Sequence, residues 1–303
     1  MFLRGVMNRI EMLRDTEKKL MTISPSYQVE AKALVCHVLN CQPIDLIIEG
    51  RQQVDADRIQ VLESLIQKRL ERVPLQYLLG VQAFYGLDFE VNDQVLIPRP
   101  ETEVLVSTII KWVEAMQSSS NHQHQTLKIL DIGVGSGAIV VALAKSLPDV
   151  MFSGSDISET ALHVAKSNAF RHGVDHRITW YHSDLFNEIP RGLYDVIVSN
   201  PPYIPLSDKE KLEPEVHLNE PSQALFGGED GLDLYRRMIP EAQVYLAEGG
   251  LLVFEAGHDQ WEAIESLLIR NDYTEVGHFE DLNGIPRFIY GRKALTGGQR
   301  NHV

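Results

Sequence analysis

Hydrophobic residues recur every third or fourth position in IEMLRDTEKKLM, YQVEAKALVCHVLN and ADRIQVLESLIQKRL, a spacing that gathers them into one stripe of a helix. The breakers SPS (24–26) and QPID (42–45) separate these runs. Residues 1–80 therefore predict several helices and no strand, with the apolar stripes forming a small core. The pattern then changes. In VPLQYLLGVQAFYGLDFEVNDQVLIPRP aromatics alternate with polar residues around turn signals at Gly86 and Asn92-Asp93, which predicts a short hairpin. Next, IPRPETEVLVSTIIKWVEAM predicts an amphipathic helix behind Pro98 and Pro100, with acidic residues in its first turn. The expected organisation is a helical bundle over 1–85, a hairpin-like linker over 86–100 and an α/β domain over 101–303.

From residue 127 strand-like and helix-like segments alternate: LKILDIG, GAIVVALAKSL, VMFSGSD, SETALHVAKSNAFRHG, RITWYHSD and YDVIVS. After a loop come LYRRMIPEAQVYLA, GLLVFEA, QWEAIESLLIR and two strands near YTEVGHF and RFIYGR. Alternation of this kind implies a parallel sheet with helices on both faces, and the C-terminal edge leaves room for antiparallel strands.

Composition narrows the class. Of 303 residues, 44% are hydrophobic and 23% charged, as in an ordinary globular chain, and the N-terminus MFLRGVMNRIEMLRD lacks a signal-peptide core. A cytoplasmic protein without a membrane span is expected. Cys36 and Cys41 fit neither zinc-ligand spacing nor a disulfide scaffold and are expected as free thiols. The histidines of SSSNHQHQT (118–126) lack acidic or Cys partners at ligand spacing, so no metal is expected.

Net charge is −14, unevenly spread: 11 basic against 12 acidic side chains over residues 1–90, net −1, and 17 against 30 over 91–303, net −13. A surface of that sign repels phosphate backbones, so a bare nucleic acid is a poor candidate partner.

The segment ILDIGVGSGAIVVALA places Asp131, Gly133, Gly135 and Gly137 where a strand opens into a helix. Glycines there allow close backbone approach to a ligand, and the helix N-terminus offers free N–H groups. A dehydrogenase fold can carry a similar turn, but the order here is D-x-G-x-G-x-G rather than G-x-G-x-x-G. Its acid would repel a pyrophosphate and suits a ligand with an amine and a sulfonium. Asp156 ends the second strand, where a carboxylate can accept both ribose hydroxyls, and Asp184 ends the third, where it can meet an adenine amine with Leu185 or Phe186 on the ring face. Solvated loop aspartates would explain any one of the three acids, and explain all three poorly.

The fourth strand, YDVIVS, runs into Asn200-Pro201-Pro202-Tyr203. Consecutive prolines fix φ and remove two donors, which by itself describes a stiff loop. The same stiffness holds the Asn200 side-chain oxygen and the Pro201 carbonyl as a pair of acceptors for the two hydrogens of a planar NH2 group, with Tyr203 as a flat wall. Restraining those hydrogens turns the nitrogen lone pair toward an electrophilic carbon. No metal or strong base is needed. The tetrapeptide does not distinguish an amide from the exocyclic amine of adenine or cytosine.

These motifs resemble the class I S-adenosylmethionine-dependent methyltransferases, which implies a Rossmann-like seven-stranded sheet with an N-terminal all-helical domain. IPRPETE (97–103), NPPYIP (200–205), NEPSQALFGGEDGLDLYR (219–236) and PLQYLLG (74–80) further resemble the PrmC/HemK family of peptide chain release factor N5-glutamine methyltransferases, in the same order over nearly the whole chain. The resemblance implies methyl transfer from S-adenosylmethionine, leaving S-adenosylhomocysteine, to the Gln of the Gly-Gly-Gln loop of class 1 release factors. The helical domain would recognise the factor, and the enzyme would act as a monomer without direct nucleic-acid contact. It assigns the cofactor to Gly133, Val134, Gly135, Ser136, Gly137, Asp156, Asp184, Leu185 and Asn200. It assigns the substrate amide to Asn200, Pro201, Pro202 and Tyr203, of which Asn200, Pro201 and Tyr203 are expected to be catalytic. Two positions depart from the family pattern, Val134 where Thr or Cys is frequent and Leu185 where an aromatic is frequent; the second leaves open which side chain packs on the adenine. The competing readings are a DNA or RNA adenine-N6 methyltransferase, which lacks a basic groove here, and a binding module that has lost its chemistry. Gly297-Gly298-Gln299 in the tail repeats the substrate tripeptide, most simply by coincidence.

Overall fold

The computed structural model describes residues 7–118 and 126–295; the Gly297–Gln299 tripeptide and nearly all of the 118–126 run lie outside them. By contacts the chain divides into two units, Met1–Val81 with Glu213–Asn219, and Gln82–Leu212 with Glu220–Val303.

The first unit is built on helices α1 (Arg9–Leu20), α2 (Tyr27–Leu39) and α3 (Ala56–Leu70). Asn8 and Glu11 form a reciprocal capping box on α1, and the Asp55 side chain accepts the Arg58 N–H on α3, so the first-turn donors are satisfied locally. Met12, Leu20, Leu34, Val35, Leu62 and Ile66 interdigitate as its core. Cys36 and Cys41 are free and half-buried. The expectation of a strand-free unit needs one correction: Met7–Asn8 pairs antiparallel with Gln53–Val54. Two residues are too few to show a period of two.

The segment Glu213–Asn219 joins this unit although it follows the Asn-Pro-Pro-Tyr stretch in sequence. Its Glu215 carboxylate accepts from Arg69 at 2.9 Å and from Arg72 at 3.2 Å, and Asn219 donates to the Arg72 carbonyl at 2.9 Å. Arg69, 5% exposed, also donates to Glu30 at 2.8 Å. Truncating Arg69 would leave the Glu30 carboxylate without its cation and Glu215 with Arg72 alone. Arg69→Met is expected to cost about 3 kcal/mol of stability, read by denaturant titration.

The hairpin lies earlier than the 86–100 linker expected for it. It pairs Val81–Phe84 with Leu87–Glu90 around Tyr85 and Gly86. Phe84 and Phe89 meet edge to face, 5.9 Å between centroids, and belong to the core of the second unit. That burial makes the hairpin part of the second unit's core rather than a free linker.

The second unit is a seven-stranded sheet: β1 (Lys128–Ile132), β2 (Met151–Asp156), β3 (Ile178–His182), β4 (Tyr194–Ser199), β5 (Leu246–Glu255), β6 (Tyr273–Glu280) and β7 (Pro286–Lys293). Their order across the sheet is β6-β7-β5-β4-β1-β2-β3. The strands β3, β2, β1, β4 and β5 are parallel, and β7 runs antiparallel to both neighbours. All six residues of β4 are buried, as a central strand covered on both faces requires. One face packs under α4 (Thr102–Ser118), α5 (Ala138–Ser146) and α6 (Glu159–Arg171), the other under α7 (Asp233–Tyr245) and α8 (Trp261–Arg270). Alternate residues divide accordingly: Val196 and Val198 face the first layer, Ile197 the second.

The chain leaves β1 toward β2 on one side, while β4 lies on the other. That reversal opens a crevice beyond the carboxyl ends of β1 and β4.

Candidate active site

Register fixes which residues meet at that crevice. Ile132 of β1 pairs with Ser199 of β4, and the Ser199 hydroxyl donates to the Ile132 carbonyl at 2.7 Å. The next residues, Gly133 and Asn200, therefore leave the sheet side by side. On the other flank of β1, Ile132 pairs with Ser155, placing Asp156 one step beyond. Likewise Ser199 pairs with Phe254 of β5, which puts Glu255 beside Asn200.

A cavity of about 530 Å³ occupies this edge. Gly133, Val134, Gly135 and Ser136 line it from the glycine turn, and Asp156, Asp184 and Leu185 from the ends of β2 and β3. Asn200, Pro201 and Pro202 close it from β4. Gly137 and Tyr203 stand outside the lining. Gly137 caps α5, with the Ala165 Cβ only 3.1 Å from where its own Cβ would be, so it serves the packing of α5 on α6. The Tyr203 ring packs against the core under α7 and α8, and burial pushes its hydroxyl up to about 12. Its expected place as a flat wall of the cavity is not where the structure puts it.

The glycine turn is held from beneath. Gly133 and Val134 both donate to the Ser155 carbonyl, at 2.8 and 3.0 Å, and Gly135 donates to Asp156 Oδ2 at 2.9 Å. Gly135 has φ +53°, and nothing lies within 4 Å of where a Cβ would stand, so a side chain there would project into space a ligand can use. Asp156 Oδ1 accepts the Ser158 N–H at 2.9 Å, and the Ile157 N–H also bonds the carboxylate, which leaves it acceptor capacity for a ligand. Asp156→Ala removes both the anchor of the turn and these acceptors. Cofactor affinity is expected to fall about tenfold to a hundredfold, measured by calorimetry. Asp131 is buried beneath the turn; desolvation pushes it up to about 8, while the Val140 N–H, donating at 3.1 Å, opposes the shift.

Asp184 is bound to Arg237 at 2.8 Å, which occupies one of its oxygens and leaves the other. Leu185, not Phe186, reaches the cavity. Phe186 is buried and stacks on Tyr245 with 4.6 Å between centroids.

The sequence motifs flanking the site acquire places as well. Pro98, Arg99 and Thr102 from IPRPETE, and Pro221, Phe226 and Gly227 from NEPSQALFGG, line the cavity. The two motifs are tied together: Arg99 donates to the buried Glu220 carboxylate at 2.6 Å. Ile204 and Phe226 form a parallel bridge, with the Ile204 N–H on Leu225 and the Gly227 N–H on Ile204, at 2.9 and 3.0 Å. The stretch from Asn200 to Pro205 is thus fastened at Ile204, and at Tyr203, whose carbonyl accepts from Gln260 at 2.8 Å. Pro201 lines the cavity, and among the described residues no backbone hydrogen bond to its carbonyl is found.

One buried acid was missed by sequence reasoning. Glu255 ends β5, is 1% exposed, and accepts from the Thr102 hydroxyl at 2.6 Å. The only sequence signal was its position after the apolar run GLLVF, which any strand end shares.

The arrangement fits a ligand of the kind S-adenosylmethionine represents. Asp93, Asp156, Asp184 and Asp233 border the cavity against two cations, Arg99 and Arg237, each already paired with a carboxylate. An acidic rim of this kind favours an amine and a sulfonium over a phosphate. Among the described residues no group of three or more His, Cys, Asp or Glu side chains is arranged to hold a metal ion, and no helix is long and apolar enough to cross a membrane.

Comparison with known proteins agrees with this geometry. A family model described as the PrmC N-terminal domain matches residues 11–80, and one described as the methyltransferase small domain matches 112–217. The chain is 40% identical over 265 residues to a release factor glutamine methyltransferase of Geobacter sulfurreducens, covering 88% of this chain and 89% of that one. The chain belongs to the release factor glutamine methyltransferase family. A second member, from Coxiella burnetii, is 35% identical and covers 93% of this chain and 98% of its own. A bifunctional methyltransferase of Rickettsia felis is 35% identical over 91% of this chain and 58% of its own length. Among solved structures, a methyltransferase from Pyrococcus furiosus has a TM-score of 0.52 at 18% identity, covering 76% of this chain and all of that one. The hMettl16 catalytic domain has a TM-score of 0.55 at 14% identity, over 82% and 85%. Both share the class I methyltransferase fold, and the seven-stranded sheet with its helical N-terminal unit is the architecture expected from the sequence.

Proposed function

We propose that the chain transfers a methyl group from S-adenosylmethionine to the side-chain nitrogen of the glutamine in the Gly-Gly-Gln loop of class 1 peptide chain release factors. The observation that carries the chemistry is the emergence of Gly133 and Asn200 from paired residues of β1 and β4 into one cavity. The choice of a protein amide over a nucleobase rests on the family's substrate and on the acidic second half of the chain. The hMettl16 structure, solved with an RNA hairpin, shares only the fold.

Gly133 through Ser136 would hold the methionine end of the cofactor, Asp156 its ribose, and Asp184 with Leu185 its adenine. When bound, the cofactor supplies an electrophilic methyl carbon on sulfur, and the sulfur keeps the electron pair of the broken bond. Asn200 Oδ1 and the Pro201 carbonyl accept the two amide hydrogens of the substrate glutamine. That restraint turns the nitrogen lone pair out of conjugation toward the methyl carbon and opposes the positive charge that develops on nitrogen. The surplus proton then leaves to water. Pro201 and Pro202 keep the acceptors fixed, so little reorganisation is needed as the reaction proceeds.

The helical unit would recognise the release factor, and the enzyme would act in the cytoplasm as a monomer without a metal. A release-factor loop that works among RNA phosphates should have basic flanks, which the net charge of −13 over residues 91–303 attracts. The test is transfer of labelled methyl from the cofactor to purified release factor, DNA and ribosomal RNA in parallel. Label in the factor supports the proposal; label in nucleic acid alone overturns it.

A further inference from the structure

Three buried or half-buried groups from three separate motifs converge behind the cavity. Glu255 ends β5, Thr102 opens α4, and Asn200 follows β4. The register of β4 on β5 puts Glu255 beside Asn200, and the Thr102 hydroxyl fills one carboxylate oxygen at 2.6 Å. The Glu255 main chain is also anchored, since the buried Tyr235 hydroxyl donates to its carbonyl at 2.7 Å. Glu255 itself is not part of the cavity lining, whereas Asn200 and Thr102 are. Its carboxylate therefore reaches the reacting atoms only through a neighbour.

An asparagine side chain has two chemically different ends on one pivot, and its partners decide which end faces where. The methyl-transfer chemistry needs the oxygen turned to the cavity. We infer that Glu255 is the positioning residue that sets this orientation: its carboxylate takes the Asn200 Nδ2 hydrogens, leaving Oδ1 as the end presented to the substrate amide. The inference rests on the proposed role of Asn200 in methyl transfer. The register that places Glu255 one step from Asn200 supports this contact, and a hydrogen bond from Asn200 favours the charged form of Glu255.

The orientation depends on charge. A carboxylate accepts from both Thr102 and Asn200. A protonated acid has an O–H that competes for Asn200 Oδ1 and turns the amide the wrong way. Desolvation pushes Glu255 up to about 7; the Thr102 hydroxyl, Arg287 on β7 and Asn200 hold it down, and Glu101 pushes it up. Tyr203 and Tyr235 are the remaining titratable groups near it, and burial keeps both hydroxyls protonated across neutral pH. The orienting form is thus lost as pH falls through about 7, in a group whose folded value stands above its ordinary one.

The experiment follows the Asn200 side-chain amide by NMR in the full chain, assigned by its loss in Asn200→Ala, and kcat for the release factor in parallel. In the wild type the amide signals are expected to titrate near neutral pH, and kcat to fall on the acid side with the same midpoint. In Glu255→Gln the titration vanishes and kcat falls about tenfold or more, with KM for the cofactor unchanged. Thr102→Val, which removes one donor to the carboxylate, moves the midpoint upward and provides a second variant should Glu255→Gln unfold. An Asn200 amide that does not titrate, or that titrates identically in Glu255→Gln, overturns the inference, as does a kcat indifferent to the amide's titration. A wild type inactive on the release factor sinks the proposed function instead, and the NMR titration still decides whether Glu255 governs Asn200.

Discussion

Asn200→Ala is expected to lower kcat for methyl transfer by about 10²–10³, the range seen when one preorganised hydrogen-bonding group is removed from a developing charge. Affinity for S-adenosylmethionine should stay within a few-fold, because the glycine turn rests on Ser155 and Asp156 rather than on Asn200. Stability should fall only modestly, by about 1 kcal/mol for the donor lost to the buried Glu255 carboxylate, because the stretch that carries Asn200 is held by backbone bonds from Ile204 to Leu225 and from Gly227 to Ile204. Calorimetry, thermal denaturation and single-turnover transfer separate the three effects. A loss of kcat matched by an equal loss of cofactor affinity would move Asn200 from the substrate to the cofactor side of the site.

Gly231→Ala is expected to be the most damaging small substitution in the fastening loop. Gly231 has φ +78°, and a Cβ there would run into the Tyr203 carbonyl and the Gln260 amide. Those two are already bonded to each other at 2.8 Å, and Gln260 donates to the Asp230 carbonyl as well. The left-handed backbone alone costs an alanine about 1–2 kcal/mol. The collision adds to this by pushing Tyr203, and with it Pro202 and Asn200, off their places. Gly86→Ala is the control, since Gly86 has φ +70° with nothing within 4 Å of the added carbon. Gly86→Ala should lose only the backbone-strain share of stability and Gly231→Ala more, read by denaturant titration. Only Gly231→Ala should also lose kcat, by about tenfold or more, because a displacement near 1 Å at the reacting groups is that costly.

The parallel sheet was legible because its strands are short apolar runs bounded by turns and alternate with helices. The residues expected at the cofactor and substrate ends were nameable for the same reason, since they sit at strand ends or in the turns that follow them. What stayed hidden were contacts that span the sequence. The hold of Arg69 on Glu215, and of Arg99 on Glu220, joins residues more than a hundred positions apart, and periodicity says nothing about either. Tyr203 was assigned to the cavity because it adjoins Pro202, yet an extended chain points neighbouring side chains to opposite sides, and this one turns into the core. Glu255 was invisible as a site residue because an acid at a strand end is unremarkable until its neighbour is known to be Asn200. The short Met7–Asn8 pairing and the hairpin boundary were missed for the opposite reason, being too local for a pattern to register.

The most direct test of the account is tandem mass spectrometry of a purified class 1 release factor after incubation with the enzyme and S-adenosylmethionine. The account predicts one added methyl group on the glutamine of the Gly-Gly-Gln loop, on its side-chain nitrogen, and none when Asn200→Ala replaces the wild type. An unmodified glutamine, or a methyl group placed elsewhere on the factor by the wild type, would contradict it.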